Sequence, residues 1–241
     1  MIGQMVRAER AVQPRLGGRK LFHILGPELA KAGITIGRDR FFQVLKEKGL
    51  LLDWLPGMPR ATDSRHSLPV FHNLVKDMVS TGPNQAWAAD ITYIRTDEGF
   101  LYLSLLTDLW SRKIVGFHAG DTLEAEGAVR ALETALSGLP EEMFPVHHSD
   151  RGCQYCSHRY VEKLRDHGLA ASMTEDTRCC ENARAERLNG ILKQEYSLGC
   201  PFRSKKQALA AIGEAVSLYN TRRPHLSLGY ETPETMHRRA A

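Results

Sequence analysis

Between Ala86 and Asp121 three extended runs follow one another with almost no chain between them. Ala86–Arg95, Phe100–Asp108 and Lys113–Asp121 are rich in Ile, Tyr, Leu, Val and Phe, and only Thr96-Asp97-Glu98-Gly99 and Leu109-Trp110-Ser111-Arg112 connect them. Such short connections allow antiparallel neighbours only, because a parallel return needs a crossover of roughly a dozen residues. The region therefore predicts a three-strand meander. The rhythm then changes: Leu123–Leu136 reads as a helix, Pro145–Ser149 as a short strand, Ser157–His167 as a helix and Leu169–Met173 as a strand. Helices over Asn182–Tyr196 and Lys205–Tyr219 follow. A meander followed by alternating helices and strands specifies an α/β fold, a mixed five-stranded sheet flanked by helices.

Ahead of the meander the periodicity is helical. Leu21, Ile24, Leu25 and Leu29 form one stripe within residues 20–31, and Phe41, Val44 and Leu45 another within 37–48, with Gly33 between them. Two short helices, a tight turn and many arginines suggest a helix-turn-helix-like DNA-binding segment over residues 1–52. Pro56, Gly57, Pro59, Ser64 and Pro69 mark a linker over 53–79, which leaves 80–241 for the sheet domain and C-terminal helices. Trp87, Trp110, Tyr102, Leu105 and Phe117 are read as core.

Composition restricts the setting. With 42% hydrophobic and 25% charged residues among 241, the chain is globular rather than disordered or fibrous. No apolar run approaches the length of a membrane span and Met1–Arg10 is no secretory signal, so no membrane partner is expected. The five cysteines, an odd number, argue for free thiols in a reducing compartment, hence a cytoplasmic protein. Net charge is +6 over residues 1–80, −7 over 81–176 and +5 over 177–241. Basic flanks around an acidic centre suit a polyanion-binding protein whose middle holds cations, although a mixed solvated surface has the same balance.

Three carboxylates stand out. Asp90 interrupts the apolar strand Trp87-Ala88-Ala89-Asp90-Ile91-Thr92-Tyr93-Ile94, where an ionised group is expensive unless paired or metal-bound. Asp150 ends the strand Val146-His147-His148-Ser149-Asp150, at the carboxyl edge where open sheets place ligands. Glu186 stands in the helix Asn182–Tyr196, with 35 residues between it and Asp150. At about 100° per residue, Asn182, Glu186, Asn189, Gly190 and Lys193 share one helical face, and Leu188, Ile191 and Leu192 the opposite, core-facing side. Singly, each carboxylate reads equally well as a cap or surface residue.

In order, the segments around them resemble a known family. Trp87–Ile94 looks like the first acidic motif of insertion-sequence transposases related to retroviral integrases. His148-Ser149-Asp150-Arg151-Gly152 with Gln154-Tyr155 resembles the second, and Glu181–Lys193 the third. Tyr219-Asn220-Thr221-Arg222-Arg223-Pro224-His225, with Leu228-Gly229-Tyr230 and Pro233, is similar to the C-terminal signature. The nearest likeness is to the second-frame product of the insertion-sequence-three group.

The resemblance implies a ribonuclease-H-like fold with the first strand central and the Asp150 strand beside it. It implies a transposase that cleaves DNA and transfers strands through catalytic Asp90, Asp150 and Glu186. These would hold two Mg²⁺ ions about 4 Å apart, with Mn²⁺ able to substitute; Asp90 would bridge both. Lys193 would contact a phosphate, its protonated form favoured by the carboxylates, and Asn182, Arg187, Asn189, Arg222, Arg223 and His225 would join it on DNA. The implied partners are double-stranded DNA (transposon ends and target), further copies of the chain on that DNA, and an upstream-frame product. A catalytically decayed DNA-binding relic and a stand-alone ribonuclease-H-like nuclease are the alternatives. Where the family usually has a Gly-x-Pro turn, this chain has Asp176-Thr177-Arg178-Cys179-Cys180. Cys153 and Cys156, with Cys179, Cys180, His147, His148 and His158, raise a zinc site, but adjacent cysteines suit one tetrahedron poorly and small, partly buried thiols are expected. His148 is expected to orient the Asp150 strand.

Overall fold

The structure, a computed structural model, describes residues 1–53, 68–175 and 183–239. The N-terminal segment forms three helices rather than two: α1 (Ile2–Val12), α2 (Gly18–Lys31) and α3 (Arg38–Glu47). The last two follow the expected stripes, burying Leu21, Leu25 and Leu29 on α2 and Phe41 and Leu45 on α3. α1 buries only Gly3, Val6 and Glu9, so no apolar stripe announces it. Val6 and Leu16 complete a small core that these helices keep to themselves. Gly33 makes the turn into α3 with φ +70, which a glycine adopts at no steric cost.

The meander forms as its connections require. β1 (Ala86–Thr96) pairs antiparallel with β2 (Gly99–Asp108), and β2 with β3 (Ile114–Gly120). β4 (Val146–Ser149) then joins the other side of β1 in parallel, and β5 (Ala171–Met173) joins β4, giving the order β3-β2-β1-β4-β5. β1 is central. Its residues Trp87 and Ala89 face α4 (Ala125–Ser137) and, beyond the one-turn α5 (Cys153–Cys156), α6 (His158–Asp166), in a core with Val129, Leu132, Tyr160 and Leu164. Ile94, Leu103 and Leu105 face the other way, against Leu188 and Leu192 of α7 (Ala183–Glu195) and Ile212, Val216 and Tyr219 of α8 (Lys205–Thr221). A short α9 (Pro233–Arg238) closes the chain. The fold is the mixed five-stranded sheet that the residue pattern specifies, in the ribonuclease-H-like order that the resemblance implies.

Three details position the rest. Gly116 of β3 lies so close to α4 that a Cβ there would run into the Ala131 carbonyl and Ala135. Asp108, fully buried at the end of β2, accepts hydrogen bonds from the Asn84 and Ser111 amides and the Ser111 hydroxyl at 2.7 Å each, fixing the turn into β3. The described part of the expected linker lies on the sheet domain: Leu68 and Phe71 pack on the α4 side, and the Leu74 amide donates to Ser172 Oγ at 2.8 Å. Among the described residues no helix is long and apolar enough to cross a membrane.

Candidate active site

Asp90 stands half-buried in the middle of β1, opposite Leu105. Its Oδ1 accepts a hydrogen bond from the Ile91 amide at 2.9 Å and its Oδ2 one from Asn189 Nδ2 of α7 at 2.7 Å. Burial raises its acid to about 7; the charges of Asp150 and Glu186 push the same way, against the Ile91 and Asn189 hydrogen bonds. Asp150 follows β4, the parallel neighbour of β1, and its Oδ1 accepts from the Gly152 amide at 3.0 Å. Burial raises this acid as well, and Glu186, half-buried near the start of α7, adds to the rise. Carboxylates 60 and 36 positions apart in sequence therefore sense one another, although burial outweighs the mutual repulsion.

As they stand, no three His, Cys, Asp or Glu side chains among the described residues are grouped closely enough to hold a common metal ion. Their chemistry nonetheless suits a hard divalent cation. The donors are carboxylate oxygens. Beside Asp90, Asn189 Oδ1 is buried without a hydrogen-bond partner among the described residues, an orphan acceptor of the kind that hydrated ions satisfy.

Of the expected DNA-contact residues, Asn189 is thus tied to Asp90. Lys193 lies one turn further along α7, with Nζ 4.8 Å from the centre of the Tyr93 ring. Burial holds its pKa below the usual lysine value and the Asp90 charge only partly opposes this, so the expected net stabilisation of the ammonium is not what the site provides. Arg187 is exposed, and Asn182 lies outside the described residues.

The C-terminal signature differs most from expectation. Arg223 is only 3% exposed and forks onto Glu195 at 2.8 Å through both Nε and Nη2, while its Nη1 donates to His225 Nε2 at 2.8 Å. Burial, reinforced by Arg223, pushes the His225 pKa down to about 3, so the ring is neutral and accepts that bond. Lys20 of α2 binds the same Glu195 carboxylate at 2.8 Å. Arg222 forks onto buried Glu9 of α1 at 2.9 and 3.2 Å. Arg223 and His225 are therefore taken up by Glu195 and by each other with little surface left, and Arg222, still about half exposed, also ties down the N-terminal helices. The sequence lacked any signal for this because the partners lie 28 and 213 positions away.

The remaining expectations separate cleanly. His148 Nδ1 meets Ser172 Oγ at 2.9 Å across the β4–β5 pair, a bond that ties the strand before Asp150 to its neighbour. Cys156 is buried with Sγ 3.7 Å from Met173 Sδ while Cys153 is exposed, so the two do not face a common centre. Cys179 and Cys180, with the substituted Gly-x-Pro segment, lie outside the described residues.

The integrase core domain family matches residues 80–179 and, in a second part, 167–233. The uncharacterized 31 kDa protein of insertion element IS600 from Shigella sonnei is 37% identical over 223 residues, 90% of this chain and 82% of its own length. Transposase InsF of insertion sequence IS3A from Escherichia coli K12 is 40% identical over 171 residues, 70% of this chain. The chain belongs to the IS3-type transposases. Against InsF itself, this IS3-type chain accounts for 59% of the relative's length. Its sheet superposes on the catalytic core domain of HTLV-2 integrase, solved with magnesium, at a TM-score of 0.53 and 21% identity, over 66% of this chain and 99% of that one. A chain of the simian T-cell lymphotropic virus intasome with PP2A regulatory subunit B56 gamma matches 92% of this chain and 74% of its own at a TM-score of 0.57 and 19% identity. Both place this IS3-type transposase in the retroviral-integrase fold.

Proposed function

We propose that this protein cuts and joins DNA by phosphodiester hydrolysis and transesterification, with Asp90, Asp150 and Glu186 as its catalytic carboxylates. The observation that carries the reading is electrostatic: burial raises the pKa of Asp90 on the central strand and of Asp150 at the neighbouring strand end, and the charge of Glu186 on the facing helix adds to both rises, as that of Asp150 does at Asp90. Carboxylates that repel each other in a folded chain are costly for stability, and their function repays that cost when a cation joins them. Two Mg²⁺ ions, when bound, would help to activate the attacking oxygen and stabilise the leaving one. Asp90 would hold both, Asp150 and Glu186 one each, and Mn²⁺ would serve in their place.

The rest of the site positions DNA. Asn189 fixes the Asp90 carboxylate, and Lys193 reaches over Tyr93 on the same side of α7 to meet a phosphate. In hydrolysis a water oxygen attacks the phosphorus and the strand's 3′ oxygen leaves; in joining, that 3′ hydroxyl attacks a phosphodiester of a second duplex, whose own 3′ oxygen leaves. The partners are therefore the element's ends and a target duplex, on which copies of the chain assemble.

Glu186→Gln tests the assignment, because it keeps shape and helix propensity and removes one charge. Strand transfer on the element's terminal repeats with Mg²⁺ is expected to fall at least about a hundredfold, with DNA affinity near wild type. Retained strand transfer would remove Glu186 from the site. Wild-type protein that binds DNA without cutting it would leave the decayed relic, and cutting without joining the nuclease.

A further inference from the structure

The helix that turns Asn189 towards β1 turns Arg187 and Ile191 towards a second concavity. This cleft, of about 610 Å³, lies between the N-terminal helices and the C-terminal signature. That volume is within the range of roughly 300–1,000 Å³ in which proteins bind small groups. Arg19 and Lys20 of α2 line one side, Arg187 and Arg223 the other, with Phe42 and Tyr230 as aromatic walls. Lys20 and Arg223 share the Glu195 carboxylate, but Arg19 and Arg187 have no ion-pair partner among the described residues. Four cations against one carboxylate leave the cleft strongly positive. Lys20 registers this: burial and then the Arg223 charge hold its pKa below the usual value, with Arg187 adding to the effect and Glu195 opposing it.

The aromatic wall is built at a cost. Tyr230 has φ 69, a left-handed backbone that bulky residues rarely adopt, and its ring stacks on His23 of α2 with centroids 4.5 Å apart. Cations beside aromatic and apolar walls match the alternation of phosphate and sugar-base along a nucleic-acid strand.

We propose that this cleft binds a backbone phosphate of the DNA strand that flanks the phosphodiester presented to Asp90, Asp150 and Glu186, an inference that rests on the DNA-joining reading above. The two sites lie on different sides of α7, separated by about the 10 Å width of one helix, so one strand reaches both within a few nucleotides. Arg19 and Arg187 contact the phosphate. Arg223 and Lys20 keep Glu195 neutralised behind them.

The test uses the full chain and a fluorescent random-sequence duplex, with anisotropy measured against salt in the absence of metal. Arg19→Ala and Arg187→Ala are each expected to weaken binding about three- to tenfold and to lower the slope of log affinity against log salt by roughly one. Gly17→Trp is expected to weaken binding with no change of charge. Gly17 lines the cleft in an extended conformation with nothing within 4 Å of a Cβ placed there, so the ring fills the cleft without disturbing the fold. Arg159→Ala, an exposed arginine of α6, is expected to change affinity less than about twofold. Wild-type affinity in all three cleft variants, or an Arg159→Ala loss equal to that of Arg187→Ala, would overturn the cleft and leave the DNA reading standing. A wild-type protein that binds no duplex would sink the DNA reading and the cleft with it.

Discussion

Replacing Arg223 with alanine separates a structural role from a DNA contact, and the structure sets the size of the effect. The change removes two hydrogen bonds to Glu195 and one to His225 Nε2, all of 2.8 Å, from a side chain 3% exposed. Removing one partner of a buried ion pair costs about 3–5 kcal/mol, because the other charge is left uncompensated. Here Lys20 still reaches Glu195 at 2.8 Å, which places the loss near the lower end, about 3 kcal/mol. At roughly 2–4 °C per kcal/mol for a chain of this size, the melting temperature should fall by about 6–12 °C. Thermal unfolding followed by circular dichroism measures this, and anisotropy at a temperature where the variant is folded should show an unchanged salt slope. A melting temperature within about 2 °C of wild type, together with a slope reduced by one, would refute the argument and return Arg223 to the DNA surface.

Other outcomes follow from the same geometry. Because the Asp90 acid is raised to about 7 in the fold from an ordinary 3.8, its contribution to stability is full below pH 4 and lost as pH rises towards 7. Metal-free Asp90→Asn should therefore lose less stability than wild type between pH 5 and 7.5 in a thermal-shift series; parallel curves would contradict the assignment. Lys193→Ala should weaken binding to all duplex sequences about equally and reduce the salt slope by roughly one unit, whereas an unchanged slope would leave Lys193 as a packing partner of Tyr93. Gly116→Ala forces a methyl group against the Ala131 carbonyl, which belongs to a helix and cannot yield, so denaturant unfolding should show a loss of about 3 kcal/mol. A loss below 0.5 kcal/mol, on the order of an ordinary surface substitution, would mean that α4 moves freely on β3.

Much of this architecture is written locally. The strands β1 to β3 are legible because apolar runs joined by four residues admit one pairing, and Asp90 because a charge inside such a run demands a reason. α7 is legible in outline: Ala185, Leu188 and Leu192 are buried, and Ile191, partly buried, packs against the same core and also borders the cleft. What local pattern does not carry is pairing at a distance. Arg222-Arg223-Pro224-His225 reads as an exposed basic patch until Glu9 and Glu195 are brought to it, and α1 is hidden because docking rather than an apolar stripe accounts for it. Asp108 and Asn84 escape notice for a similar reason, since a buried polar hub looks in sequence like any turn.

Glu195 is the last residue of α7, and Glu186 stands nine residues before it on the same helix. An α-helix is stiff, so α7 is a rigid rod pinned at one end by Lys20 and Arg223 and carrying the carboxylate proposed for catalysis towards the other. Over the about 13 Å between the two glutamates, a tilt of roughly 5° at the pin carries the Glu186 carboxylate about 1 Å, a displacement that can alter a reaction rate about a hundredfold. The N-terminal helices, tied to one end of α7 through Lys20 and Glu195, and the carboxylate proposed for catalysis therefore share one rigid element.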